Sequence, residues 1–247
     1  MVKTVLLTRL EAQNSQFESL FEGSDFCFVS KPLLTTEAII LSAETKKNIL
    51  NLDTFDHIIF ISRNAVNYGI PRLQDYWPQW PQSLSWFAVG PGTALLLENE
   101  DLEIYSPLQA SSEGLLAMSE LQMPRDKKIL IVRGVGGREA LREGLEERGA
   151  SVEYAEVYQR NLVEYKSADW APLEGKVFAL IHSGEALLHL SSILGNLLKN
   201  YHLIVPSRRL QIMAIDEGFD KVELASSQQD SDMLESLLKC TANQEGT

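Results

Sequence analysis

The stretch IIFISRNAV (58–66) carries the fold. Ile58 to Ile61 make an apolar, mostly β-branched run as long as one short strand. Ser62 interrupts it, and the residues that follow suit the first turn of a helix. FALIHSGEAL (178–187) repeats the pattern with Ser183 at the break. A strand that runs at once into a capped helix is the first half of a βαβ unit, which implies a parallel sheet. Working outward, the same kind of run recurs at Val5-Leu6-Leu7, Phe26 to Val29, Phe87-Ala88-Val89, Ile129 to Val132, Val152 to Val157 and Leu203 to Val205. Helical patterns lie between them at Leu10 to Phe21, Arg138 to Arg148 and Ala186 to Leu198. The expected class is α/β.

The chain repeats itself. TVLLTR (4–9) resembles ILIVRG (129–134), and IIFISRNAV resembles FALIHSGEAL. WFAVGPGTALL (86–96) corresponds more loosely to HLIVPSRRLQIMA (202–214), and YSPLQASSEGLLAMSEL (105–121) to ELASSQQDSDMLESLL (223–238). The strand ends Arg9 and Arg133, and Ser62 and Ser183, are separated by a common offset of roughly 120 residues, too long for a solenoid repeat and right for two related domains. No low-complexity linker separates the halves.

With 247 residues, 45% hydrophobic and 23% charged, the chain can bury one large core or two of ordinary size. Lys and Arg number 22 against 34 Asp and Glu, a net charge of −12. Such a surface repels nucleic acid and anionic membrane at long range, which argues against a general role on either. Local backbone amides can still hold an anion against that field. Cys27 and Cys240 cannot by themselves make a disulfide framework or a structural zinc site, and His57, His182, His189 and His202 show no metal-ligand spacing. The opening MVKTVLLTRLEAQNSQ has one lysine and then only a short apolar run, so it reads as neither export signal nor spanning helix. The expected compartment is the cytoplasm.

Each expected strand ends in small or polar residues: Thr8-Arg9, Ser62-Arg63, Gly90-Pro91-Gly92-Thr93, Arg133-Gly134, Ser183-Gly184 and Ser207. Carboxyl ends of strands in open α/β sheets are where ligands bind, and helix N-termini there suit carboxylate or phosphate. At any single position helix capping is the better explanation; recurrence in both halves is what favours shared anion binding. Other chemistries fail on spacing. In RGVGGRE (133–139) the third glycine of a dinucleotide fingerprint falls on Glu139, and GPGTAL (90–95) lacks its last glycine. His182-Ser183-Gly184 lacks the glycine before a nucleophile elbow, because position 181 is isoleucine, and His182 should point away from Ser183. The aromatic segment Tyr76 to Pro81 reads as a loop packed on its own domain. The strand from Val152 exits at Tyr158. Tyr154, four residues earlier, is expected on the same face but farther from the exit.

VLLTR (5–9), FISRNAV (60–66), FAVGPGTA (87–94), ILIVRGVGGRE (129–139), the strand ending VYQR (157–160) and IHSGEAL (181–187) together resemble the uroporphyrinogen-III synthase family, in its order and over nearly the whole chain. The resemblance implies two similar α/β domains with parallel sheets facing across a cleft and joined by a two-stranded β-ladder near Pro32 to Thr35 and Arg160 to Glu164. One domain would comprise residues 1–35 plus 167–247, the other 38–163. One departure stands out: where many members carry a Gly-Pro-x-Thr turn in the second half, this chain has IVPSRRLQIMA (204–214).

The family's reaction, as the resemblance implies it, cyclises the linear tetrapyrrole hydroxymethylbilane with loss of water and inverts the last pyrrole ring. It needs no cofactor and no metal. Tyr158 matches the family's tyrosine implicated in hydroxyl loss. The substrate contacts carried over are Thr8, Arg9, Ser62, Arg63, Thr93, Ser111, Arg133, Gly134, Ser183 and Ser207, many of them through backbone donors. A monomer is the expected form, since no extra apolar helix or heptad seam is visible in the sequence, and the acidic charge leaves it without nucleic-acid or membrane partners. It allows a transient contact with the enzyme that supplies the bilane. A non-catalytic, two-lobed cytoplasmic protein that closes over a small anion fits the same residue pattern.

Overall fold

The structure is a computed structural model that describes residues 3–21, 26–100, 102–166, 170, 173 and 177–242. In chain order the first elements are β1 (Lys3–Leu7), α1 (Glu11–Glu18), β2 (Phe26–Ser30), β3 (Leu34–Ala38), α2 (Ala43–Leu50), β4 (His57–Phe60) and α3 (Arg63–Gln74). Then come β5 (Ser85–Ala88), α4 (Pro91–Leu97), β6 (Ile104–Tyr105), α5 (Ser112–Leu116), β7 (Lys128–Gly134), α6 (Ala140–Glu147) and β8 (Ser151–Leu162). The chain closes with β9 (Val177–Leu180), α7 (Gly184–Leu194), β10 (Tyr201–Val205), α8 (Arg208–Asp216), β11 (Lys221–Leu224) and α9 (Asp230–Ala242).

These elements form two compact units, Met1–Thr35 with Asn161–Thr247, and Thr36–Arg160. Residue 167, where the family resemblance places the return to the first domain, lies outside the described residues. The first unit holds a sheet of order β11-β10-β9-β1-β2, the second a sheet of order β3-β8-β7-β4-β5-β6. The first sheet is parallel throughout, and so is the second from β8 to β6. β3 is the exception. The bonds Ile39 N–H to Val157 O and Val163 N–H to Leu33 O advance in opposite directions along the chain, so β3 runs antiparallel to β8. The chain passes between units within these two strands.

The duplication is visible in the strand order. Read from one edge, β11-β10-β9-β1-β2 matches β6-β5-β4-β7-β8 position for position. TVLLTR and ILIVRG lie on β1 and β7, and the two strand-serine segments lead from β4 and β9, so the segments that resemble each other occupy equivalent places. The helices obey the same correspondence. In the second unit one sheet face, with Ile58, Phe60, Leu130 and Val132, packs on Ile49, Ile70, Leu73 and Leu97 of α2 to α4. The other, with Ile59, Phe87, Ile129 and Ile131, packs on Leu115 of α5 and on Leu141 and Leu145 of α6. In the first unit Leu6, Ala179, Leu203 and Val205 meet α7 and α8, while Val5, Leu7, Phe178 and Ile204 meet Phe17 of α1 and Met233 and Leu237 of α9. Strands covered on both faces must be apolar throughout, which is why β7 and β9 read as continuous hydrophobic runs.

The three helical patterns are shorter as α-helix than the sequence periodicity suggests. α1 tightens into a 3₁₀ turn at Ser19–Phe21, and α7 ends at Gly195, whose φ of 51° breaks the helix before a 3₁₀ stretch to Asn200. Trp77 donates its indole N–H to Ile49 O at 2.7 Å and Trp80 lies edge-on to Trp86 at 5.0 Å, so the Tyr76 to Pro81 loop packs on its own unit. Among the described residues no helix is long and apolar enough to cross a membrane.

Leu130 and Leu203 are both fully buried, one in each sheet, whereas Leu108 is fully exposed. Leu130→Ala and Leu203→Ala should each cost about 2–5 kcal/mol in urea denaturation. Leu108→Ala should stay within about 0.5 kcal/mol of wild type. A core variant no less stable than Leu108→Ala would contradict this placement of the cores.

Candidate functional site

Parallel strands bring all their carboxyl ends to one edge, and the helices begin there. Ser62 is the N-cap of α3; its extended backbone (φ −167°, ψ 163°) lets Oγ accept from Ala65 N at 2.9 Å. Ser111 accepts from Gly114 N at 2.9 Å before α5, Ser183 from Ala186 N at 3.2 Å before α7, and Ser207 from Leu210 N at 3.4 Å before α8. Each hydroxyl satisfies one of the unpaired amides of a first turn, so the helix end keeps a partial positive charge beside the cap. Strand order sets which ends are neighbours. β9 lies between β1 and β10, so Thr8-Arg9, Ser183 and Ser207 follow three adjacent strands. β4 lies between β7 and β5, so Ser62-Arg63, Gly134 and the Gly90 to Thr93 turn do the same, with Ser111 beyond β6.

Tyr158 reaches this edge in an unexpected way. β7 pairs with β8 in steady register through Arg133 and Glu156, and then Gly134 pairs with Tyr158. The extra residue is a bulge, and it turns the rest of β8 over. Tyr154 therefore packs with Ile129, Ile131 and Val152, while Tyr158 packs with Ala155 and Val157 against Phe60 and Val132. The two tyrosines lie on opposite faces, where simple alternation puts them on one. The Tyr158 ring stacks on Tyr68 at 5.4 Å, and its hydroxyl lies 3.1 Å from Ser62 Oγ. It also lies flat against Gly134, where a Cβ would come within 2.6 Å of Tyr158 Cζ, so any larger residue there displaces the ring.

Arg133, only 2% exposed, organises the glycine loop that follows β7. Its guanidinium donates to Glu139 Oε1 at 2.9 Å, to Gly134 O at 3.2 Å and to Gly136 O. Gly136 and Gly137, at φ of 71° and 108°, make the backward turn this wrapping needs, in a region that disfavours side chains. Tyr154 donates its hydroxyl to Glu139, and the guanidiniums of Arg133 and Arg142 sit over its ring at 4.5 and 5.0 Å. Burial, and then the bond to Glu139, push the Tyr154 hydroxyl up to about 12. Arg133, Glu139 and Tyr154 thus form a closed structural network.

In the first unit the polar side chains are similarly engaged. Thr8 donates to Leu180 O at 2.6 Å, tying β1 to β9. Arg9 pairs with Asp230 at 2.8 Å, at the start of α9. Ser183 Oγ serves Ala186 N; His182 has no hydrogen-bond partner for either ring nitrogen among the described residues, and burial, helped by Arg9, pushes its pKa down to about 3. No serine–histidine pair forms here. Thr93 is buried in the first turn of α4, whereas Arg63 is exposed at the first position of α3. A cavity of about 250 Å³ near the start of β7, lined by Lys47, Asn48 and Lys128, lies away from these strand ends.

A family model described as Uroporphyrinogen-III synthase HemD matches residues 15–235. The chain belongs to the uroporphyrinogen-III synthase family. It is 34% identical to the uroporphyrinogen-III synthase of Salmonella typhimurium over 192 residues, covering 74% of this chain and 78% of that protein. It is 32% identical to that of Proteus mirabilis over 171 residues, covering 68% and 85%. The crystal structure of a mutant uroporphyrinogen III synthase from the extremely thermophilic bacterium Thermus thermophilus superposes with a TM-score of 0.64 over 98% of this chain and 99% of that one, at 16% identity. The enzyme from Helicobacter pylori gives 0.64 over 96% and 99%, also at 16% identity. Both share the fold.

Within this synthase-family scaffold the Arg133–Glu139–Tyr154 network is the feature that sequence reading missed. Glu139 signalled it only by spoiling a glycine pattern. Tyr154 first, and then Arg133, hold the Glu139 carboxyl below its ordinary 4.5. A carboxyl with a lowered folded pKa stabilises the fold fully above its unfolded value and loses that contribution as pH falls through the folded one. Glu139→Gln should therefore lower stability near pH 7 relative to wild type, and the gap should narrow below pH 4.5. Urea melts near pH 7 and at about pH 3 measure it. A gap that stays constant across that range would show that the charge of Glu139 contributes nothing.

Proposed function

We infer that this chain cyclises hydroxymethylbilane to uroporphyrinogen III with loss of water, as a lyase, and that Tyr158 assists departure of the hydroxyl. The observation that carries this reading is the Tyr158 hydroxyl set against Ser62 at a strand end, its ring pinned by Gly134 and Tyr68, in a chain whose match to the family runs from 15 to 235. The terminal C–O bond of the bilane breaks as the adjacent pyrrole nitrogen pushes electrons out. Tyr158 supplies the hydrogen bond or proton that lets the hydroxyl leave as water, which leaves an azafulvenium electrophile. Attack by the substituted carbon of the last ring gives a spiro intermediate. Its fragmentation and reclosure invert that ring, and no electron leaves the substrate.

The remaining task is to fold a flexible polyanion, which carries an acetate and a propionate on every pyrrole, into the conformation that reacts. We assign that to the strand ends of both units. Ser62, Ser111, Ser183 and Ser207 bring helix N-termini to the substrate carboxylates, and the backbone around Thr8, Arg9, Thr93, Arg133 and Gly134 shapes the loops. Arg63 offers an exposed guanidinium. Thr8, Arg9 and Arg133 act chiefly as positioning residues, because their side chains already hold Leu180, Asp230 and Glu139. Short-range amides and hydroxyls reconcile an anionic substrate with a net charge of −12. The working form in this reading is a cytoplasmic monomer that takes its substrate from the enzyme producing it.

Supplied with hydroxymethylbilane, the protein should yield the type III isomer. A mere binding protein would leave the isomer ratio at that of buffer. Tyr158→Phe keeps the ring stack and leaves the Ser62 cap on Ala65 intact, so the melt should barely move. Loss of one general acid slows a reaction by about 10²–10⁴-fold, and the lower end is expected because the pyrrole nitrogen itself expels the hydroxyl. Tyr154→Phe, which alters the opposite face, is the control. Type III formation at an undiminished rate in folded Tyr158→Phe would remove Tyr158 from the mechanism.

A further inference from the structure

At the far edge of the first unit, β10, β11 and α9 bring together three side chains of different chemistry. Parallel register sets His202 opposite Lys221 and Ile204 opposite Glu223, so His202 and Glu223 share a sheet face. α9 covers that face, since Ile204, Met233, Leu237 and Cys240 form one cluster. One ligand atom each from His202, Glu223 and Cys240 lies within 4.8 Å of the other two. His202 Nε2 is 3.6 Å from Cys240 Sγ.

We propose that His202, Glu223 and Cys240 form a three-ligand site for a borderline divalent cation of the zinc class, with water in the fourth position. A tetrahedral zinc with N at about 2.05 Å and S at about 2.3 Å sets those two atoms about 3.6 Å apart, the separation already present here. Nitrogen, sulfur and carboxylate oxygen are the donors such an ion takes, and thiolate plus carboxylate balance its two positive charges. The imidazole is held in place: His202 stacks on Phe178 at 5.3 Å, and burial keeps its pKa low, so the ring is neutral and able to ligate. Burial and then Glu223 hold the Cys240 thiol up at about 11, so the ion must displace the thiol proton. In that step the S–H bond breaks, an S–metal bond forms, the proton passes to buffer, and no oxidation state changes. The ligands sit among the strands and the end of α9, whereas Ser183 and Ser207 follow the carboxyl ends of β9 and β10. The ion would clamp α9 to the sheet and take no part in the chemistry of Tyr158.

The test uses the full-length protein with Co²⁺ as optical probe and Zn²⁺ as stabiliser. Co²⁺ should saturate at one equivalent with a thiolate-to-metal charge-transfer band, and Zn²⁺ should raise the melting temperature. Cys240→Ser should abolish the band, and Cys27→Ser should leave it. Glu223→Gln, a milder change at a partly buried position, should weaken Co²⁺ binding by more than the about 10–100-fold that loss of a supporting partner costs. A band that survives in Cys240→Ser, no band in wild type, or equal Co²⁺ affinity in folded Glu223→Gln would overturn the assignment and leave an ordinary thiol–carboxylate contact.

Discussion

A parallel sheet cannot be closed with hairpins, and the rest of this structure depends on that constraint. Each strand must be followed by a crossover that returns the chain to the starting edge, usually a helix. A parallel strand that feeds such a helix therefore opens at its carboxyl end onto a helix N-terminus, and these junctions collect on one edge of each sheet; β2, which runs on into β3, and the antiparallel β3 stand outside the rule. The crossovers cover both faces, so the strands must be apolar on both sides, and polar function is forced to the ends. Ser62, Ser111, Ser183 and Ser207 are where the chain turns from strand or loop into helix, and each is used as a cap.

Both units obey the constraint with the same strand order, although the chain builds them differently. The second unit is laid down continuously from β4 to β8, whereas the first takes β1 and β2 from the start of the chain and β9 to β11 from its end. Packing explains why the arrangement tolerates this. The contacts that define a sheet position are the two neighbouring strands and the helices on either face, and none records the direction from which the chain arrived. β9 sits between β10 and β1 just as β4 sits between β5 and β7.

Charge is handled locally in this acidic protein. Arg133 is fully enclosed and spends its donors on Glu139 and the carbonyls of Gly134 and Gly136. A buried guanidinium is tolerable only when paired and hydrogen-bonded, so the loop has to wrap it. That wrapping fixes the backbone beside Gly134, and Gly134 in turn is the surface on which the Tyr158 ring lies. The structural network around Tyr154 on one sheet face and the stacked Tyr158 on the other meet at the same bulge of β8.

The amino-acid sequence determined what local physics dictates. Eight apolar, β-branched runs are strands because a doubly covered parallel sheet selects that composition. Their ends are caps because serine and glycine suit that geometry, and the duplication shows because equivalent places impose equivalent patterns. β3, β6 and β11 were not legible as strands from composition, since LTTEA, IY and KVEL are short and only partly buried edge segments, with little hydrophobic pattern to impose. Family likeness, not periodicity, pointed to the ladder that includes β3. Tertiary structure alone decided which face each tyrosine of β8 takes. One extra residue in the pairing of β7 with β8 reverses the alternation, and nothing in the sequence of β8 marks it. It alone also brought Arg133 to Glu139 and Tyr154, and His202 to Glu223 and Cys240. The first neighbourhood follows from the glycine turn after β7 and the pairing of β7 with β8, the second from the register of β10 with β11 and the helix packed across them, and the identity of the residues alone does not give either.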